Sequence, residues 1–290
     1  MLGEVLTAIV TPFTREGTVD IGRFRALARS LVDRGSDGVV VAGTTGECPT
    51  LTDEERAALI AAALEEIGDR ATVIAGTGTY STAHSVHLTE AAHALGVHGV
   101  LVVTPYYNKP PPRGIVAHFE AIAAVTDRPV VVYTIPQRSV INIEPETIAH
   151  LAEIPNVTAV KQATTDVAQA RSIVELGLDL YAGNDDLLLP FLEVGGVGVI
   201  SVFSHVVGPQ VKELVRLYRS GDEEGARRLN DRLMLVNAAL GVATNPIAVK
   251  AALNLLGHEV GGLRLPLVEA TDDEVALIRA GLEESNVLRR

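Results

Sequence analysis

Short apolar runs rich in β-branched residues recur along the chain, and stretches of Ala, Leu, Glu and Arg with helical spacing separate them. The runs predict strands near residues 6–12, 38–43, 72–76, 99–104, 129–134, 157–161, 179–183 and 198–202. Between them the pattern turns helical, as over 52–67, which opens on Thr52-Asp53-Glu54-Glu55, a capping-box signature. Strands that are apolar almost throughout, alternating with helices, indicate a parallel sheet with both faces covered. Eight such units fit a closed (β/α)8 barrel (a TIM barrel) better than an open doubly wound sheet. No Gly-x-Gly-x-x-Gly follows a strand; Gly76-Thr77-Gly78-Thr79-Tyr80-Ser81 lacks the last glycine, and a P-loop is absent. Past residue 205 the alternation stops. The expected division is a barrel over 1–205 and a C-terminal helical layer over 206–290 packed on it as one unit, with candidate helices at 209–220, 222–240 and 246–256.

Composition narrows the class. Hydrophobic residues make up 47% of the 290 residues and charged ones 21%, as a globular protein with a large core requires. A net charge of −12 argues against nucleic acid or an anionic membrane surface as a partner. The first ten residues carry no basic segment before an apolar core, and no run is long enough to span a membrane, so a soluble, cytoplasmic protein is expected. The single cysteine, Cys48, excludes an internal disulfide and a cysteine-rich metal site, and reads as a small packed residue.

In a parallel barrel the chemistry sits at the carboxyl ends of the strands. Here the sixth strand, Val157-Thr158-Ala159-Val160-Lys161, ends in one of only four lysines set against 20 arginines. A strand-end lysine can simply snorkel to solvent. A partly desolvated one can lose its proton and attack a carbonyl. The other strand ends supply Gly43-Thr44-Thr45-Gly46-Glu47, Thr104-Pro105-Tyr106-Tyr107-Asn108, Tyr133-Thr134-Ile135-Pro136-Gln137-Arg138, Gly183-Asn184-Asp185-Asp186 and Ser201. Each has a plain reading: a tight turn whose glycines allow positive φ, rim packing for Tyr106 and Tyr107, a core position for Tyr133, a surface charge for Arg138. Together they surround an amine with hydroxyl donors. The chemistry that uses this set is Schiff-base formation on a ketone, with Tyr and Thr hydroxyls moving protons. The turn at Thr44–Thr45 can cradle a 2-oxo acid carboxylate, and Arg138 can bind a second carboxylate.

With these blocks, and with similarity from Ala8-Ile9-Val10-Thr11-Pro12-Phe13 to Leu263-Arg264-Leu265-Pro266, the chain resembles the pyruvate-dependent class I aldolases. That superfamily includes the dihydrodipicolinate synthases, the nearest match, and N-acetylneuraminate lyase. The resemblance implies a lyase that condenses pyruvate with aspartate 4-semialdehyde to 4-hydroxy-tetrahydrodipicolinate, in lysine and diaminopimelate biosynthesis. Carried over by position, Lys161 forms the pyruvate imine. Tyr133, Thr44 and Tyr107 form a proton relay, with Tyr107 coming from a neighbouring subunit. Thr45 and the Ile200 backbone hold the pyruvate carboxylate, Arg138 meets the carboxylate of the second substrate, and Gly183 lines the pocket through its backbone. The resemblance also implies a homotetramer built as a dimer of dimers, with no metal and no organic cofactor.

The chain departs from the family pattern at Thr134 (commonly Asn), Gln137 (Ser or Gly), Val140 (Gly) and Gln162 (Glu or Asp). Gln137 and Val140 flank Arg138, so they bear on which aldehyde is used. Tyr80 and His84 stand where lysine-sensitive members carry Asn and Glu, which predicts weak or absent feedback by lysine. Three other readings compete: a sister aldolase for sugar-derived 2-oxo acids, a metal-dependent barrel enzyme, and a sensor that kept the pocket. Arg138 speaks against a polyhydroxylated substrate, and the intact Lys161, Tyr133 and Thr44 against a sensor. The histidines that hint at a metal, His84, His87 and His93, fall within a helix rather than at strand ends.

Overall fold

The computed structural model describes residues 1–288. Eight parallel strands close into a barrel in sequence order: β1 Val5–Ala8, β2 Gly38–Val41, β3 Thr72–Gly76, β4 Gly99–Val103, β5 Val130–Thr134, β6 Val157–Gln162, β7 Asp179–Ala182 and β8 Gly198–Ser201. Each predicted run overlaps its strand; the first strand begins one residue earlier and ends at Ala8, and the sixth runs one residue further, to Gln162. Closure leaves no sheet edge, so every strand can be apolar on both faces without exposing an unpaired ladder. The two faces do different work. One set of side chains, including Leu6, Val40, Ile74, Leu101, Val131, Ala159 and Tyr181, fills the barrel interior. The alternate set, including Val39, Val73, Val100, Val132 and Val160, packs against the surrounding helices. Tyr181 stops the lower end of the interior, where its hydroxyl donates to the Gly3 carbonyl at 2.9 Å.

The register puts Tyr133, Lys161 and Tyr181 side by side on β5, β6 and β7. Alternation therefore sends Lys161 inward at the upper end of the barrel and turns Gln162 toward the helices. There the Gln162 amide donates to Thr164 Oγ1 and the Asp166 carbonyl.

The boundary expected at 205 falls inside a helix. Ser204–Arg219 is the eighth helix of the barrel layer and packs on β1, and it starts five residues before the 209 suggested by periodicity. Pro209 lies near its start, just past Val207, whose φ/ψ break the helical run. The added layer consists of Glu223–Leu240, Ile247–Leu255 and Asp272–Glu284. The last of these was not singled out by periodicity. Its start, Thr271-Asp272-Asp273-Glu274, forms the same capping box as Thr52-Asp53-Glu54-Glu55. Of the layer expected over 206–290, residues 289 and 290 lie outside those described.

The layer is fastened to the barrel by a buried ion pair. Lys250 Nζ lies 2.7 Å from Glu47 Oε1, and both residues are about 1% exposed. Lys250 also donates to the Gly262 carbonyl, and Glu47 Oε2 accepts from the Arg264 backbone N–H at 3.0 Å. Phe13 sits between Lys250 and Arg264, with its ring 4.3 Å and 4.5 Å from the two cations. Burial lowers the Lys250 pKa, and the Glu47 carboxylate beside it pulls the other way. Removing one partner of such a pair leaves a buried charge without compensation. Lys250→Met is expected to lose about 3–5 kcal/mol in chemical denaturation. Adding Glu47→Gln should restore most of that loss, whereas an independent surface pair would show no such recovery.

A second stability effect lies at the short helix Pro136–Ser139, which ends on Val140 at φ +67°. A β-branched residue is strained in this left-handed region, where glycine is free. Val140→Gly is expected to stabilise the protein by on the order of 1 kcal/mol, read as a higher melting temperature.

Candidate active site

A cavity of about 300 Å³ opens at the carboxyl ends of the strands. Lys161, Tyr133, Thr44, Thr45, Gly183 and Arg138 all line it. Lys161 is 5% exposed, and its Nζ sits 4.3 Å from the centroid of the Tyr133 ring. Burial drives the ammonium pKa down to about 8, opposed by the Asp185 carboxylate and assisted by Arg138. Burial pushes the Tyr133 phenol up to about 12, while Arg138 and the Thr44 hydroxyl draw it back. The result is a readily deprotonated amine beside a phenol that keeps its proton, a usable donor for an oxygen developing charge nearby.

The turn after β2 is built by backbone bonds from Gly46 N and Cys48 N to the Gly43 carbonyl and from Glu47 N to the Thr44 carbonyl. Positive φ is found at Ala42 and Glu47, flanking the turn, and not at its glycines as turn chemistry suggested. Gly46 is needed for closeness instead, since a Cβ there would stand 3.1 Å from the Ile9 carbonyl. Gly183 is likewise a contact glycine. Its N–H donates to the Gln162 carbonyl at 2.7 Å, and a Cβ would fall 2.8 Å from that oxygen.

Arg138 is exposed at the mouth of the cavity. Its Nη2 donates to the Asn245 carbonyl at 3.2 Å and to Thr244 Oγ1 at 3.4 Å, so the guanidinium leans on the C-terminal layer. Asn237, Leu240, Asn245 and Val249 of that layer form part of the cavity wall. The sequence alone assigned none of them a role, because periodicity places a helix without saying what its end touches. Asp185, also in the cavity wall, had no assigned role either. Its carboxylate accepts from the Ser201 hydroxyl, from Val202 N at 2.8 Å and from Phe203 N at 3.2 Å. Burial raises its pKa and these donors lower it. Its place in Gly183-Asn184-Asp185-Asp186, one residue past the contact glycine and its neighbour, was the available signal.

Two predicted site residues are not brought to the cavity wall by a single chain. Tyr107 is 90% exposed, at φ +72° in the loop after β4, while its neighbour Tyr106 packs edge-on against Tyr80 at 5.4 Å. Ile200 is buried within the barrel interior, pairs with Leu6 of β1, and lies below the wall formed by Val202 and Phe203. Of the four departures from the family pattern, only Gln137 lines the cavity. Thr134 faces the helices and donates to Asn142 Oδ1 at 3.3 Å, Gln162 faces the same way, and Val140 is exposed outside. Cys48 packs against the outer core, where burial raises its thiol pKa. On the helix Thr82–Leu95, His84 Nε2 lies 3.0 Å from Asp53, His87 Nε2 3.9 Å from the same carboxylate, and His93 Nδ1 3.1 Å from Thr126 Oγ1. Among the described residues no three His, Cys, Asp or Glu side chains gather as a metal-ligand set. No helix among them is long and apolar enough to cross a membrane.

Known proteins are similar to this one along the whole chain. The 4-hydroxy-tetrahydrodipicolinate synthase of Moorella thermoacetica is 49% identical over 99% of both chains. The enzyme of the same name from Mycolicibacterium paratuberculosis is also 49% identical, over 99% of this chain and 96% of its own. The crystal structure of DHDPS from Cyanidioschyzon merolae with lysine bound superposes with a TM-score of 0.97, at 42% identity and with 99% of each chain covered. The model of the dihydrodipicolinate synthetase family matches residues 1–285, and the chain belongs to that family.

Proposed function

We infer that the chain is a Schiff-base lyase that condenses pyruvate with aspartate 4-semialdehyde to 4-hydroxy-tetrahydrodipicolinate, a step of lysine and diaminopimelate biosynthesis. The observation that carries the reading is the desolvated Lys161 amine, which sits under Tyr133 in a cavity with hydroxyl donors on one side and a guanidinium at its mouth. The named relatives at 49% identity support it.

At pH 7 an amine of pKa about 8 is about one-tenth neutral, against roughly one part in 3,000 at 10.5, so burial raises the nucleophile population about 300-fold. The neutral Lys161 attacks the pyruvate ketone, and Tyr133 gives its proton to the carbinolamine oxygen, which leaves as water. The iminium then accepts the electron pair released when a methyl proton passes to the Tyr133 phenolate, forming an enamine whose carbon adds to the aldehyde while Tyr133 returns that proton to the aldehyde oxygen. The amino group of the semialdehyde next attacks the imine carbon and closes the ring as Lys161 is expelled. Thr44, hydrogen-bonded to Tyr133, serves the proton relay, and Thr45 directs its hydroxyl toward the 2-oxo acid carboxylate, with the Ile200 backbone, just below the cavity wall, as the second carboxylate contact. Arg138 receives the carboxylate of the aldehyde substrate. The Lys161 imine is itself the electron sink, so this route needs no metal and no organic cofactor.

The exposed Tyr107 completes the relay in this reading only when a second copy of the chain brings its own Tyr107 to the site, and a cytoplasmic homotetramer built as a dimer of dimers is the assembly we infer. Arg138 favours a short anionic aldehyde over a polyhydroxylated sugar acid.

Incubation with pyruvate followed by borohydride should leave a reduced adduct on Lys161, located by peptide mass, and Lys161→Arg should abolish it. The rate of trapping is expected to rise about tenfold per pH unit below about 8 and to level above it, because only the unprotonated amine reacts. A rate still climbing toward pH 10 would show a lysine that is not desolvated.

Lysine is expected to inhibit weakly. The Asp53 carboxylate nearest the Tyr80–His84 position is already engaged by His84 at 3.0 Å, leaving it a poor partner for an incoming ammonium. Steady-state assays at sub-millimolar lysine check this; half-inhibition in that range contradicts it.

A further inference from the structure

Asn245 belongs to the C-terminal layer, at the foot of the helix Ile247–Leu255, yet it joins the two places where the proposed substrates' carboxylates bind. Its Nδ2 donates to Thr45 Oγ1 at 2.9 Å, and its backbone carbonyl accepts from Arg138 Nη2 at 3.2 Å. The sense of the first bond decides what Thr45 can do. A hydroxyl has one proton and two lone pairs, and an amide N–H fills a lone pair without being able to take the proton. Thr45 is 3% exposed, and its hydroxyl makes no other hydrogen bond among the described residues. Its proton is thereby left free for the cavity. Asn245 Oδ1, meanwhile, is buried without a partner. The one side-chain hydrogen bond of this amide among the described residues therefore goes to Thr45.

We propose that Asn245 is a positioning residue that fixes Thr45 as a hydrogen-bond donor toward the carboxylate of the 2-oxo acid, while its main chain holds Arg138 at the cavity mouth. The proposal rests on the reading of Thr45 as a pyruvate carboxylate contact.

The test is the pyruvate concentration that half-saturates borohydride-trapped adduct on Lys161, measured on the full chain beside steady-state KM values for both substrates. Asn245→Ala is expected to raise the half-saturating concentration about fivefold, the worth of one neutral hydrogen bond, with maximal trapping unchanged. Asn245→Asp keeps the shape but can only accept, so it turns the Thr45 proton toward itself and sets a negative charge beside the pyruvate carboxylate. It is expected to raise that concentration more than tenfold, and it serves as the test should the alanine variant fail to fold. The aldehyde KM should stay within about twofold in both, since the carbonyl of residue 245 survives either change. In a Thr45→Val background, Asn245→Ala should add nothing, because its route of action is gone. An unchanged half-saturation, a loss confined to maximal rate, or an undiminished effect in the Thr45→Val background overturns the proposal. A wild-type chain that traps no pyruvate at all overturns the underlying function instead.

Discussion

A carboxylate and an ammonium buried against each other tie the C-terminal layer of this molecule to its barrel. Glu47 closes the turn after β2, and Lys250 reaches it from the C-terminal layer. The pair draws in the Gly262 carbonyl, the Arg264 backbone and the ring of Phe13, so segments from both ends of the chain meet at one point. Taking both charges out of water is expensive, and mutual attraction offsets the cost only with close geometry and further hydrogen bonds. Those are present here, and they fix Thr44 and Thr45 relative to Asn245.

Two lysines are buried in this fold, and their surroundings separate their roles. Lys250 has a carboxylate 2.7 Å away and a carbonyl beside it, which favours the charged form. Lys161 lies over an aromatic ring, makes no hydrogen bond among the described residues, and feels Arg138 as a like charge. Desolvation is common to both, and the presence of a partner decides the outcome. A structural lysine is buried with its counter-ion. Burial lowers the pKa of both; Lys161 differs in having no ion-pair or hydrogen-bond partner among the described residues, with only the field of Asp185 opposing the shift.

The barrel was legible because parallel strands covered on both faces read as apolar runs, and the strand ends named most of the cavity wall in advance. What the sequence concealed is long-range. Lys250 looks like any residue of a helical stretch, and its partner is 203 positions away. Asn245 precedes a helix, and nothing local says that its amide meets Thr45 across 200 residues. The eighth helix was started late because Pro209 reads as a helix beginning, although it follows a break at Val207 inside a helix already begun at Ser204. The departures from the family pattern sorted themselves only in three dimensions. Strand alternation turns Thr134 and Gln162 away from the cavity, which leaves Gln137 as the departure that lines it.

The position of Asn245 also bears on why a barrel enzyme carries an added helical layer. A (β/α)8 barrel can supply an amine and hydroxyls from its own strand ends, as Lys161, Tyr133 and Thr44 illustrate. Loops at that rim are held mainly by their own turns, and Arg138, on a four-residue helix, has little else to fix its long side chain. The segment at Thr244–Asn245 gives the guanidinium two acceptors and gives Thr45 a fixed donor. Side chains locked by such outer contacts lose less entropy when substrate arrives, which is the advantage of preorganisation. By this argument the layer orders the cavity mouth, and the Glu47–Lys250 pair ties that layer to the barrel.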